Sequence, residues 1–227
     1  FNGTINGASW ASGKQGQGLS FDGVDDKVTV PHNATLNITN NLSASAWIKA
    51  ADPGASGGII VGKHQGGNVN NQRGWIMSAT TVSATDSDKL QVVISENGTS
   101  SSGNLKIYYS SLPVFDNNWH HVGFTFSSNE LKLYIDGVED INIVKFRDDH
   151  VSSINANDEA LTIGWHQVDN AATRFFNGII DEVAIYDQLL TPDQMIGMSD
   201  MVSNSTLDRW TFQYEYDGRR RMTEKKV

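Results

Sequence analysis

The chain has 227 residues, 26 acidic against 17 basic side chains, and a net charge of -9, with 38% hydrophobic and 19% charged residues. The acidic balance argues against a nucleic-acid partner, and no apolar run reaches the ~18 residues that a membrane-spanning helix needs. Without cysteine there is no disulfide framework, and the length suits one large β domain as well as two small ones. The charge is uneven: residues 209–227 hold six basic and three acidic side chains, which leaves 11 basic against 23 acidic in the rest, a balance that suits cation binding. There is no signal peptide and no initiating methionine, so the chain reads as a piece of something longer.

Residues 1–18 are a Gly-, Ser- and Asn-rich lead-in. Short alternating runs at 19–21 and 27–30 flank the turn-forming Asp22-Gly23. In 42–50, Leu42, Ala44, Ala46, Ile48 and Ala50 share one face, opposite Ser43, Ser45, Trp47 and Lys49. An apolar run at 58–63 precedes a loop of Gly, Asn and Gln at 64–74. Strand-like runs follow at 75–80, 90–95 and 105–109, separated by polar clusters at 83–88 and 96–104. Residues 119–126 and 131–135 read as an antiparallel pair, and Asp136-Gly137 as a two-residue hairpin turn into a strand at 138–143. Residues 145–160 read as polar and irregular, 161–164 as a short strand, and 165–174 as a second exposed loop.

The stretch Phe175-Phe-Asn-Gly-Ile-Ile-Asp-Glu-Val-Ala-Ile-Tyr-Asp187 reads as a central strand covered on both sides. By alternation Ile179, Asp181, Val183 and Ile185 share one face, and Ile180, Glu182, Ala184 and Tyr186 the other. Asp181 then stands on an apolar face, where a carboxylate must be paired, hydrogen-bonded or bound to a metal. Thr191-Pro-Asp-Gln194 supplies an N-cap, a proline at the first helical position and a capping-box glutamine, predicting one short helix to about residue 198. A dozen short strands and one helix predict an all-β, antiparallel two-sheet jelly-roll sandwich over 1–200, with 201–227 as linker and tail.

Five segments in this order resemble the laminin-G-like (pentraxin-like) jelly roll of the concanavalin A-like lectin superfamily. They are Gly16-Gln-Gly-Leu-Ser-Phe-Asp-Gly23 with Val28-Thr-Val-Pro31; Leu42-Ser-Ala-Ser-Ala-Trp-Ile-Lys49; Asn118-Trp-His-His-Val122; Leu131-Lys-Leu-Tyr-Ile-Asp-Gly-Val138; and Phe176 to Asp187 followed by Leu190-Thr-Pro-Asp193. The resemblance spans residues 14–198. It implies two face-to-face antiparallel sheets in an extracellular binding module, often for carbohydrate or protein, and many members carry one calcium. Tyr214-Glu-Tyr-Asp-Gly-Arg219 with Arg221-Met-Thr-Glu-Lys-Lys226 resembles one YD repeat of Rhs-type shell proteins. It departs from the usual form, since Gly218 follows Asp217 directly and Met222 replaces a leucine. That resemblance implies a large secreted or surface bacterial parent, whose other domains are partners, with 208–227 loosely held or adding a strand to a neighbour.

The resemblance places a structural calcium at Asp22, the carbonyls around Gly23, and Asp181, with Asp25 and Asp26 as nearby options; these are hard oxygen donors of the kind calcium takes. The other reading is that Asp22 closes a turn and Asp181 accepts backbone N–H groups. For a ligand surface, loop 64–75 offers His64, Gln65, Asn68, Asn70, Asn71, Gln72, Arg73 and Trp75, and loop 165–174 offers Trp165, His166, Gln167, Asp169, Asn170 and Arg174. We take His64, Asn70, Gln72, Arg73, Trp75, Trp165, His166 and Arg174 as the candidate glycan contacts, because such sites set a few polar groups beside an apolar platform. His120 shares parity with Val122 and Phe124 and reads as a hydrogen-bonded core histidine, and neither it nor His121 is given chemistry. Trp47 is either core against the second sheet or an exposed platform. Trp10 is either a ligand contact or a plug for the sandwich edge.

No strand offers a same-face acidic pair for glycoside hydrolysis, and the nucleophile-elbow, zinc and phosphate-loop motifs are absent. The expected function is a non-catalytic module, secreted or at the cell surface, that adheres through glycan or cell-surface ligands, without nucleic acid or membrane insertion. The competing expectation is a structural or protein–protein module of a YD-repeat shell protein with no sugar ligand.

Overall fold

The computed structural model describes residues 2–51, 57–66, 71–79, 88–101, 103–168 and 172–200, together with short strands at 210–211 and 225–226. In chain order the strands are β1 (Thr4–Asn6), β2 (Ser9–Ser12), β3 (Gln17–Asp22), β4 (Lys27–Val30), β5 (Leu42–Lys49), β6 (Ile59–Lys63), β7 (Trp75–Ala79), β8 (Lys89–Ser95), β9 (Leu105–Pro113) and β10 (Trp119–Ser127). They continue as β11 (Glu130–Ile135), β12 (Val138–Glu139), β13 (Val144–Asp148), β14 (Leu161–Ile163), β15 (Trp165–Val168), β16 (Ala172–Phe175), β17 (Asn177–Tyr186), β18 (Trp210–Thr211) and β19 (Lys225–Lys226), with helix α1 (Pro192–Ser199) before β18. One sheet runs β1-β4-β14-β6-β7-β8-β9-β13. The other runs β12-β11-β10-β5-β17-β18-β19, with β3 also on β17 and β2 on β3, and β15 and β16 form a separate hairpin. Among the described residues every ladder is antiparallel, as expected for a jelly-roll sandwich. Among the described residues no helix is long and apolar enough to cross a membrane.

The core lies between the two sheets. β5 shows how the sequence builds it: Leu42, Ala44, Ala46 and Ile48 are buried in the central cluster with Val122, Phe124 and Phe126 of β10 and Met77, Leu90, Val92 and Ile94 of the facing sheet. Trp10 is partly buried and packs against this cluster, which makes it an edge plug.

β17 is central, as expected, but its two faces are not those of simple alternation. It pairs Asp181 with Trp47 and then Ala184 with Ser45, so three steps on β17 match two on β5. The extra residue is accommodated at Glu182, whose φ of 47° places it in the left-handed region. Beyond this bulge the parity is reversed. Ile180, Val183 and Ile185 enter the main core, whereas Ala184 and Tyr186 join Tyr134, Leu190, Met195 and Met198 on the outer face beneath α1. The helix starts as its sequence predicts: Gln194 N donates to the Thr191 hydroxyl and Thr191 N to the Gln194 side chain.

Three connections differ from expectation. Asp136 (φ 51°) and Gly137 (φ 81°) form the hairpin turn, but β12 holds two residues only, because Ser111 N and Ser111 Oγ bind the Asp140 carboxylate and pull the chain toward β9. The chain then enters β13, within a region read as irregular, and pairs with β9 of the other sheet. Within the region read as a second exposed loop, Trp165–Val168 and Ala172–Phe175 pair as the antiparallel strands β15 and β16. Of the tail, β18 extends the second sheet by pairing with Ala184 and Ile185 of β17; the residues of the repeat-like motif up to 224 lie outside the described residues.

Candidate functional site

The carboxylates assigned to one metal are not brought together. Asp22 pairs with Asn177, while Ile180 pairs with Leu19, so Asp181 falls level with Gly18, four residues and about 13 Å along β3 from Asp22. Asp181 is 1% exposed and serves as a backbone acceptor: Oδ2 takes Gln15 N at 3.1 Å and Oδ1 takes Glu182 N at 2.9 Å. Burial pushes its pKa up, and the amides of Gln15, Glu182 and Lys14 hold it down. The turn after β2 is folded tightly over it, since a side chain at Gly13 would lie 2.3 Å from Asp181 Oδ2. Lys14 Nζ caps the neighbouring Trp47 ring at 4.1 Å, and the other neighbour of Trp47 is His121, 5.5 Å between ring centroids. Trp47 is therefore buried on the outer face of its sheet, neither against the second sheet nor exposed.

Asp22 instead gathers Asp25 and Asp26, and one carboxylate oxygen from each of the three lies within 4.8 Å of the others. Asp22 Oδ1 caps the turn, accepting from Val24 N at 2.8 Å, and Asp26 Oδ2 accepts Asp22 N at 2.8 Å. The Val24 hydrogen bond chiefly lowers the Asp22 pKa, whereas burial and then the charges of Asp22 and Asp25 raise that of Asp26. A cation would relieve that repulsion, and an all-carboxylate donor set fits calcium.

Four of the proposed glycan contacts, His64, Arg73, His166 and Arg174, converge on a groove of about 260 Å³ over the outer face of the first sheet. Its floor comes from adjacent strands: Ile76 of β7 lies opposite Val93 of β8, which lies opposite Ile107 of β9, and beside them Ser78, Gln91 and Tyr109 form a second row. Ser78 Oγ donates to Gln91 Oε1 at 3.2 Å. On the β13 side Phe146, 58% exposed, stacks on Tyr109 with 5.5 Å between centroids and 29° between planes. On the β6 side the His64 and His166 rings lie 5.5 Å apart, 6% and 4% exposed. Neither ring nitrogen of His166, nor His64 Nδ1, has a hydrogen-bond partner among the described residues. Burial depresses both imidazoles, His166 to about 3, followed for His64 by the neighbouring His166 and for both by the cationic Arg73 and Arg174. Both are thus neutral near pH 7, and each can offer one donor and one acceptor.

The remaining proposed contacts stand elsewhere. Trp75 is 2% exposed and turned into the core against Phe124 at 5.7 Å. Trp165 stacks on Phe175 and lies under Lys27 Nζ at 4.8 Å. Gln72 accepts Asp158 N through its side chain at 3.3 Å, and Asn70 lies outside the described residues. The sequence reading missed Ser78, Gln91, Tyr109 and Phe146. The signal available for Gln91 was its polar place in the alternation of β8, opposite in parity to the core residues Leu90, Val92 and Ile94.

His120 is hydrogen-bonded as expected, to Asp136 at 2.9 Å and Asp116 at 3.1 Å, at the sheet margin rather than in the core. A larger groove of about 470 Å³ runs beside β11 and β13, but its charges are consumed internally: Asp148 receives both Lys106 Nζ and Tyr108 OH at 2.5 Å, and Lys132 lies 3.4 Å from Glu139.

The family model described as the concanavalin A-like lectin/glucanases superfamily matches residues 22–195. Among solved structures, domain 4 of AbnA, an extracellular arabinanase from Geobacillus stearothermophilus solved in complex with arabinotriose, is similar at 20% identity and a TM-score of 0.56, over 87% of each chain. A heptameric SAP-like pentraxin from Limulus polyphemus is similar at 15% identity and 0.51, over 85% of this chain and 89% of the other. A type C botulinum neurotoxin structure, from work on cell entry through two ganglioside molecules, gives 18% and 0.59, over 88% of this chain and 46% of the other. At such identities the likenesses speak for the fold. No curated protein sequence matches the chain significantly.

Proposed function

The chain belongs to the concanavalin A-like lectin/glucanase superfamily, and from that premise we propose that it is a non-catalytic carbohydrate-binding module of a larger secreted or cell-surface protein. The observation that carries this reading is the groove over β6 to β9: an apolar floor, an aromatic stack at one side, and buried imidazoles with unused hydrogen-bonding capacity at the other. A sugar ring offers the complementary surface, with C–H faces for Phe146 and Tyr109 and hydroxyls for Gln91, Ser78 and the histidines. Domain 4 of the arabinanase, similar over most of both chains, was solved with arabinotriose, which supports the class of ligand. The groove's lining contains no aspartate or glutamate among the described residues, which favours binding over acid–base hydrolysis.

Calorimetry against a saccharide panel tests the reading. Phe146→Ala removes a largely exposed ring, so it should leave folding intact and weaken a bound saccharide about tenfold, the scale of a lost aromatic contact. Absence of heat across neutral and acidic saccharides would defeat the proposal.

A structural calcium belongs to the same reading, with a changed ligand set. Asp22, Asp25 and Asp26 would hold it, and it would neutralise their mutual repulsion and tie the β3–β4 turn; Asp181 stays outside. The melting midpoint should rise in calcium and fall with excess chelator. A midpoint that does not move removes the ion.

A second reading, a protein-docking module beside the YD-type repeats of its parent, draws on the exposed apolar side chains Val138, Ile141, Val144 and Phe146 around the β12–β13 connection. Concentration-dependent self-association, or capture by the parent's repeats, with no saccharide affinity would favour it.

A further inference from the structure

We propose that the groove is selective for acidic saccharides, with Arg73 and Arg174 meeting the carboxylate of a uronic or sialic acid unit; this rests on the carbohydrate reading above. The groove is lined by two arginines and, among the described residues, by no acidic side chain. The protein as a whole carries -9, so a cationic groove is not a by-product of general basicity. Arg174 is partly buried and makes no hydrogen bond or ion pair with another described residue, and burial lowers its pKa. A half-desolvated guanidinium without a counter-charge is costly, and a carboxylate that meets its planar fork with two parallel hydrogen bonds relieves that cost.

The histidines refine the choice. His64 and His166 are more than nine-tenths buried and line the groove, and His64 Nδ1 and both ring nitrogens of His166 have no partner among the described residues. The same arginines help keep them neutral. They therefore suit hydroxyls beside the charged group rather than a second anion. A purely anionic ligand, such as free phosphate, would leave the exposed Phe146 ring and the partly buried Ile107 uncovered, whereas a sugar acid joins a charged edge to a C–H face.

The test is calorimetry with the whole chain at low salt. The acidic probes are oligogalacturonate, oligomannuronate, hyaluronan oligosaccharide and 3′-sialyllactose; the neutral ones are methyl-esterified oligogalacturonate, maltotriose, arabinotriose and lactose. At least one acidic probe should bind about tenfold or more tightly than its neutral counterpart, and its affinity should fall with added salt. Whether uronates or the sialoside respond tells the source of the carboxylate. Arg174→Ala should lose about tenfold or more toward the acidic probe while leaving the melting point unchanged or slightly raised, and Arg174→Lys should recover part of the affinity. Should Arg174→Ala fold poorly, the salt titration and the ester comparison on the unaltered chain still decide. Equal affinity for acidic and neutral probes, insensitive to salt and to Arg174→Ala, overturns the selectivity and leaves carbohydrate binding standing. Silence from every probe overturns both.

Discussion

Replacing Trp75 with alanine is expected to lower folding stability by about 3–5 kcal/mol, the range for deleting a large buried aromatic side chain. From the sequence alone the same residue reads as a glycan contact beside Arg73. The structure turns its indole inward, 2% exposed, against Phe124 across the sandwich. For a domain of this length the loss corresponds to a fall in melting temperature on the order of 10 °C. Denaturant unfolding measures the first quantity, and calorimetry on the folded fraction measures saccharide affinity, which should be unchanged. A stability loss below about 1 kcal/mol together with lost affinity would return Trp75 to the ligand site.

The second large effect belongs to Lys63, 2% exposed at the end of β6. Its ammonium donates to Asn157 O at 2.6 Å, Asn157 Oδ1 at 2.9 Å and Glu159 O at 2.8 Å, and lies 3.3 Å from His32 Nδ1. Lys63→Met keeps most of the volume but strands these acceptors, at a cost of about 2–4 kcal/mol. The consequence reaches the groove. Asn155 Nδ2, on the same segment, donates to Asn71 O at 2.8 Å and Arg73 O at 3.0 Å, so the segment that Lys63 anchors also holds the backbone of Arg73. Hydrogen exchange at 155–159 should quicken and affinity should fall, which Trp75→Ala does not produce.

Lys63 also gives the stability a pH signature. Burial pushes its pKa down to about 8, against a partial upward pull from Glu159 and Asp158, while in the unfolded chain it stays near 10.5. Between these values the unfolded state holds more protons on this side chain. Its contribution therefore grows as pH rises through that window and is lost as pH falls through about 8. The stability gap between the unaltered protein and Lys63→Met should widen from about pH 7.5 to about pH 10. A gap independent of pH would mean that burial does not perturb the amine.

Much of the architecture could be read from residue patterns. The alternation of Leu42, Ala44, Ala46 and Ile48 gave the inner face of β5, and Thr191-Pro-Asp-Gln194 gave the helix start. Asp181 was recognisable as a buried carboxylate, and the answer lay in backbone amides rather than a shared ion. The reversal of faces after it was not recognisable, because a left-handed residue is signalled by glycine or asparagine and here it is Glu182. In the groove, the polar loop residues His64, Arg73, His166 and Arg174 were found from their type, since such groups gather where a ligand is held. The floor was hidden because both faces of β7 and β8 carry large apolar residues. Ile76 and Val93 look no different from Met77 and Val92, and which face is covered depends on what the rest of the chain lays across it. The same ambiguity sent Trp75 to the wrong side.

β3 leaves β17 at Ile180, and β18 takes up the same border only at Ala184 and Ile185. The tail is thus a seal as well as an exit. If it were peeled away, the middle of the sandwich would present naked peptide groups along the C-terminal half of β17, an invitation to intruding strands from another molecule. Whatever tension pulls on the C-terminal side of this domain would act first on that two-residue clasp, well away from the groove where a glycan would be held.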